Sequence, residues 1–84
     1  MKITTLFNAT FISVSRLDYK DKEGRPLYAN YIALEAQDDV GKIRCTDVVK
    51  ENLEKEKKYS SITFQGVYDS FNKDLVITGF KKEN

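Results

Sequence analysis

Apolar and polar residues alternate with a period near two along almost the whole chain. Such alternation sends successive side chains to opposite faces of an extended backbone, and it commits the sequence to β-strands. The pattern breaks its own phase once. In the run 3–17, Phe7, Ala9 and Phe11 share one parity, after which Ile12 and Val14 take the other. A phase switch inside a strand marks a β-bulge, where one extra residue bends the strand and increases its twist. A first strand this long and bent can serve two sheets of a barrel.

The remaining segments follow from the same reading. Residues 18–26 form a polar loop punctuated by Gly24 and Pro26. A second strand over 27–36 places Ile32, Leu34 and Ala36 on one face and Leu27, Ala29, Tyr31, Ala33 and Glu35 on the other. Tyr28 shares the parity of Ile32 and reads as core. Residues 38–41 make a short turn, with Gly41 free to take a positive φ. A third strand over 42–46 then points Ile43 and Cys45 inward and Lys42, Arg44 and Thr46 outward. A four-residue loop pairs Gln37 with Lys42 and Glu35 with Arg44 on the outer face, and Leu34 with Cys45 inside.

Asp47 reads as the N-cap of a short helix over 48–57, anchored by Val49 and Leu53. Glu51–Lys55 and Glu54–Lys58 have the favourable acid-first spacing of four. Two apolar anchors suffice to plug one end of a barrel but not to build a helical layer. Strands over 59–68 and 75–80, joined by a turn at 69–74, complete the order, and 81–84 is a polar tail.

Composition narrows the function. The 84 residues are 40% hydrophobic and 32% charged, enough for one buried core and one domain spanning 1–84. Fourteen Lys and Arg against 13 Asp and Glu give a net charge of +1, so an anion site must come from local placement of charge. His is absent, which removes the commonest neutral-pH acid, base and metal ligand. The single Cys excludes an intramolecular disulfide, and as a small buried apolar residue it has no catalytic role. No metal-spaced cluster or glycine-rich phosphate loop is present, so neither an enzyme nor a cofactor is expected. Met1 to Thr10 lacks the basic and apolar regions of an export signal, and no stretch is long enough to cross a bilayer. A cytoplasmic location without membrane association is expected.

Three strands, a short helix and a closing hairpin is the element order of an OB-fold, a five-stranded Greek-key barrel. Gly24-Arg25-Pro26-Leu27-Tyr28, Ile32-Ala33-Leu34 and Gly41-Lys42-Ile43-Arg44-Cys45 resemble the Gly-Lys-Pro-aromatic and Gly-x-Ile-x-Val pattern of small OB domains. The segment from Val67 to Ile77 resembles their last hairpin. In size the chain is similar to the single-stranded-DNA-binding proteins of phages and conjugative or other mobile elements.

That resemblance implies an all-β barrel whose outer face on the second and third strands holds nucleic acid, flanked by the first loop and the last hairpin. Carried onto this chain, the loop contributes Tyr19, Lys20, Lys22 and Arg25, the sheet Tyr31, Lys42 and Arg44, and the hairpin Tyr68, Phe71 and Lys73. Aromatic rings would stack bases while Lys and Arg neutralise the phosphates between them. The implied activity is non-sequence-specific binding of single-stranded DNA in replication, recombination or transfer. A homodimer is expected, because one small barrel offers a short track and linking two raises avidity.

Plainer readings stand beside each residue. The loop cations alternate with Asp18, Asp21 and Glu23 and suit an ordinary solvated loop. Lys42 and Arg44 also suit edge protection or cross-strand pairing. An outward Tyr31 equally serves a dimer contact. Tyr19, at a strand end, suits partial burial, and Phe71 either meets ligand or folds back onto the barrel. The rival function is a protein–protein interaction module, a phage or plasmid accessory factor without nucleic-acid affinity; an RNA-binding barrel is a third.

Overall fold

The phase switch in the first strand coincides with a change of partner. In the computed structural model, which describes residues 1–82, β1 (Lys2–Lys20) pairs through Lys2–Thr10 with β4 (Ser61–Asp69) and through Thr10–Lys20 with β2 (Pro26–Ala36). Its register shifts between Phe11 and Ser13, where the bulge was expected. The extra residue lets Phe7, Ala9 and Phe11 point into the interior before the bend and Val14 after it.

With β3 (Asp39–Cys45) and β5 (Asp74–Lys82), the strands form one closed sheet in the order β1-β2-β3-β5-β4. All pairings are antiparallel except β3 with β5, which meet in parallel at Arg44–Val76 and Cys45–Ile77. Helix α1 (Asp47–Leu53) lies between β3 and β4 in the chain. Ile32, Leu53, Ile62, Phe64 and Ile77 are fully buried, and the Phe7 ring lies 5.7 Å from that of Phe64. Cys45 is buried in the same core, and burial pushes its thiol up to about 11, so it stays protonated at neutral pH.

Several expected boundaries move, each for a local reason. The turn between β2 and β3 is two residues, Gln37 and Asp38, at φ of 53° and 62°. Positive φ at both central residues is what a tight hairpin with matched twist requires. Gly41, expected at positive φ, instead sits in β3 opposite Leu34. Glu35 therefore faces Val40 rather than Arg44, Gln37 lies in the turn rather than opposite Lys42, and Leu34 is not paired with Cys45. The slip covers an even number of positions, so the side chains that remain paired in β2 and β3 keep their expected faces, while Gln37 passes to the turn and Thr46 leaves the strand.

Thr46, not Asp47, caps α1: its Oγ1 accepts the Val49 N–H at 3.4 Å. Asp47 is the first helical residue, where a carboxylate suits the positive end of the helix. The helix ends at Leu53, short of 57, so the expected Glu51–Lys55 and Glu54–Lys58 pairs have no helix to carry them; Lys50 pairs with Glu54 instead. Val49 and Leu53 are both buried as the anchors.

β4 begins at Ser61 rather than 59, because Tyr59 takes φ of 69° and donates its N–H to the Phe11 carbonyl. Lys81 and Lys82 belong to β5 rather than to a tail, whose last two positions lie outside the described residues. Tyr28 is 44% exposed and is not core. The last β2–β3 pair is Asn30–Cys45, and beyond it the β1–β2 hairpin continues as a two-stranded ribbon, where Tyr28 meets only neighbouring side chains such as Arg16 and the start of α1. This projection accords with the 46 × 29 × 23 Å extents of the chain. Among the described residues no helix is long and apolar enough to cross a membrane.

Candidate nucleic-acid interface

Strand register places one row of side chains around the outside of the closed sheet. Ser15 lies opposite Tyr31, Tyr31 opposite Arg44, Arg44 beside Val76, Val76 opposite Val67, and Val67 opposite Thr4. Parallel to it run Ser13–Ala33–Lys42 on one side and Leu17–Ala29 then Tyr19–Leu27 on the other. Because outward positions alternate, Tyr19, Tyr31, Lys42 and Arg44 share one face. Leu17 and Leu27, at 54% and 42% exposure, fill out that face between the two tyrosines. An open cavity of about 440 Å³ is bounded by Ser15, Arg16, Leu17, Tyr31 and Lys42.

Leu17 was not among the sequence-derived candidates, although carrying the bulge's parity shift to the end of β1 aligns it with Tyr19. Leu27 was assigned to Tyr31's face but given no role. An aliphatic residue at an outward position carries no sequence sign of whether it is covered, and only the fold shows both to be exposed.

The cations on and around this face differ in their freedom. Arg44 Nη1 lies 3.0 Å from Asp74 Oδ2, whereas Lys20, Lys22, Lys42 and Lys73 make no ion pair among the described residues. Arg25 is engaged in its own loop. Asp21 Oδ1 accepts the backbone N–H groups of Glu23 and Arg25 at 2.9 and 2.8 Å, its Oδ2 accepts Arg25 Nε at 2.7 Å, and Glu23 binds Arg25 Nη2. These donors, led by the Arg25 N–H, hold the Asp21 carboxyl below its ordinary range. Gly24 closes the loop at φ of 82°, a conformation that costs glycine little. Lys20 lies opposite Pro26, on the reverse side of the ribbon from Tyr19, and Lys22 is in the loop itself.

The last hairpin divides its candidates. Tyr68 lies opposite both Ile3 and Leu75 and has the inward parity of Ile62 and Phe64, so it faces away from the Tyr31 side, yet it stays 37% exposed. Phe71 is 88% exposed in the 70–73 turn and does not fold back onto the barrel. Asp69 fixes that turn by accepting the Phe71 N–H and the Asn72 Nδ2–H, both at 3.0 Å. Lys73 completes it at φ of 53°.

A second polar cluster escaped sequence reading. On the reverse face of the ribbon, the Arg16 guanidinium lies 4.2 Å from the centre of the Tyr28 ring. Tyr28 Oη donates to Asp47 Oδ2 at 2.7 Å, and Asn30 Nδ2 donates to Asp47 Oδ1 at 2.6 Å. The Tyr28 hydroxyl, followed by Asn30, holds the Asp47 carboxyl below its ordinary range, while the bond to that carboxylate holds the Tyr28 hydroxyl above its own. Asn30 is buried and needs this acceptor. The cluster ties the start of α1 to β2. The shared parity of Tyr28 and Asn30 was the available signal, but their partner Asp47 is distant in sequence.

Among the described residues no group of three or more His, Cys, Asp or Glu side chains is placed to hold a metal ion. Comparison with protein-family models yields no match, and a search of curated proteins finds no similar sequence.

Proposed function

We propose that this chain is an OB-fold Greek-key barrel that binds single-stranded DNA with little sequence preference through the outer face of β1, β2 and β3. The observation that carries the reading is the convergence, by register, of Tyr19, Tyr31, Lys42 and Arg44 on one outer face, with Tyr31 half-buried and the other three exposed. Tyr19 and Tyr31 are separated along the strands by the interval from Leu27 to Tyr31, roughly 13 Å at 3.3 Å per residue. That leaves room for bases to stack on each ring with phosphates passing between them. Each stacked base contributes about 1–3 kcal/mol, and neither ring has a hydrogen-bonding pattern that distinguishes bases. Lys42 and Arg44 supply the electrostatic contribution, which weakens as salt rises. Lys22 and, at the far hairpin, Phe71 and Lys73 extend the track; Arg25 contributes only by leaving its carboxylate partners.

In this reading the protein protects or organises single strands in replication, recombination or transfer of a phage or other mobile element, in the cytoplasm. It acts as a homodimer, because the modest charge of one barrel favours linkage of two. Leu17 and Leu27 favour a second reading, a protein-docking surface, since exposed aliphatics match a partner's apolar side chains better than they match bases. Titration of fluorescent oligo-dT against a duplex of equal length, at low salt, separates the two. A DNA-binding barrel takes up oligo-dT with salt-sensitive affinity and prefers it to duplex; a protein-docking barrel takes up neither.

A further inference from the structure

Arg44 is the only arginine in the row centred on Tyr31, and its guanidinium already holds an anion. Asp74 Oδ2 lies 3.0 Å from Arg44 Nη1, with both side chains partly open to solvent. Asp74 opens β5 directly opposite Asp69 at the end of β4. Like charges placed opposite one another across strands destabilise the pair, so hairpin formation gains nothing from a carboxylate at 74. Asp69 has a separate role, with both carboxylate oxygens accepting hydrogen bonds inside the 70–73 turn. Asp74 is thus the carboxylate left to face Arg44.

We propose that Asp74 is a built-in competitor for nucleic-acid phosphate, setting the affinity and salt dependence of the face. The inference rests on the single-strand-binding reading above. A carboxylate and a phosphate offer the guanidinium the same kind of charged oxygen edge. A strand that engages Arg44 must displace Asp74, which then stands unpaired beside the incoming phosphate and next to Asp69. The contact therefore contributes less than an unmasked arginine would, and less of the counterion release expected of it appears in the salt slope. Lys42, without an ion-pair partner among the described residues, carries its full share.

The test measures binding of fluorescent oligo-dT at several salt concentrations for the wild type, Asp74→Asn, Asp38→Asn, Arg44→Ala and the Arg44→Ala/Asp74→Asn double variant. Asp38→Asn makes the same change in net charge at an exposed turn position with φ of 62°, which Asn tolerates. The expected result is a rise in affinity of about two- to five-fold for Asp74→Asn, the range that releasing one surface ion pair allows. Its salt slope steepens by up to about 0.7, one phosphate contact on a single strand. Arg44→Ala also costs more affinity when Asp74 is already Asn. If the wild type binds but Asp74→Asn only matches Asp38→Asn, or binds more weakly than the wild type, the competitor role is overturned and the binding reading survives. If the wild type binds no oligonucleotide at low salt, both fall.

Discussion

The barrel interior and the outer face of the β1–β2–β3 sheet are both built from apolar and aromatic side chains, yet only one is explained by folding. Inside, Ile32, Ile62, Phe64 and Ile77 are wholly removed from water, and Val49 and Leu53 reach in from α1. Their burial stabilises the closed sheet directly. Outside, Tyr19, Leu17 and Leu27 are each more than 40% exposed, beside Lys42 and Arg44. Burial on folding does not account for this second surface. The same period-two alternation produces both, so alternation alone identifies which residues share a face and not what that face is for.

The contrast is broken most severely in the core. Phe64→Ala should cost about 3–5 kcal/mol, enough to unfold much of a marginally stable small domain, and thermal melting reads it. Leu53→Ala should cost about 2–5 kcal/mol by emptying a fully buried position, and the same melts should show it. On the outer face the order reverses. Tyr31→Ala should cost about 1 kcal/mol or less of stability but about 1–3 kcal/mol of oligo-dT binding, seen as a weaker affinity at an almost unchanged melting temperature. Lys42→Ala should leave melting unchanged and flatten the log–log salt slope of binding by about 0.7.

The smallest expected effect concerns the Asp47 cluster. Hydrogen bonds hold the folded Asp47 carboxyl below its unfolded value, so its contribution is complete above the ordinary carboxylate range. It is lost as pH falls below about 4 and through the lowered folded value. Urea midpoints measured from pH 7 to 3 should fall in the wild type. They should fall less steeply in Asp47→Asn, with the residual slope including Asp21, whose carboxyl is also lowered.

Much of this arrangement was legible in the sequence because hydrophobic parity is a local signal. Phe7, Ala9 and Phe11 followed by Val14 announced the bulge, and Val49 with Leu53 announced the buried anchors of the short helix. The β2–β3 register was not legible. Gln37 and Asp38 take positive φ although the nearby Gly41 was the cheaper candidate, because the tight turn that closes the hairpin falls at 37–38. That slip matters for the site: it removes Glu35 from Arg44's side and sets Tyr31 opposite Arg44. Tyr68 shows the limit of residue type as a signal. Its type suggested ligand contact, while its parity, shared with Ile62 and Phe64, already pointed it to the other face. Ion pairs such as Arg44–Asp74 and the Asp47 bonds join segments far apart in the chain, which spacing alone does not bring together.

The most direct test of the outer face as a ligand surface pairs two readings on one variant, the melting temperature of Tyr31→Ala and its low-salt affinity for oligo-dT. A melting temperature within a few degrees of the wild type, with affinity reduced about five-fold or more, is the predicted result. Unchanged affinity, or a loss of binding that merely follows a collapse in melting temperature, would contradict it.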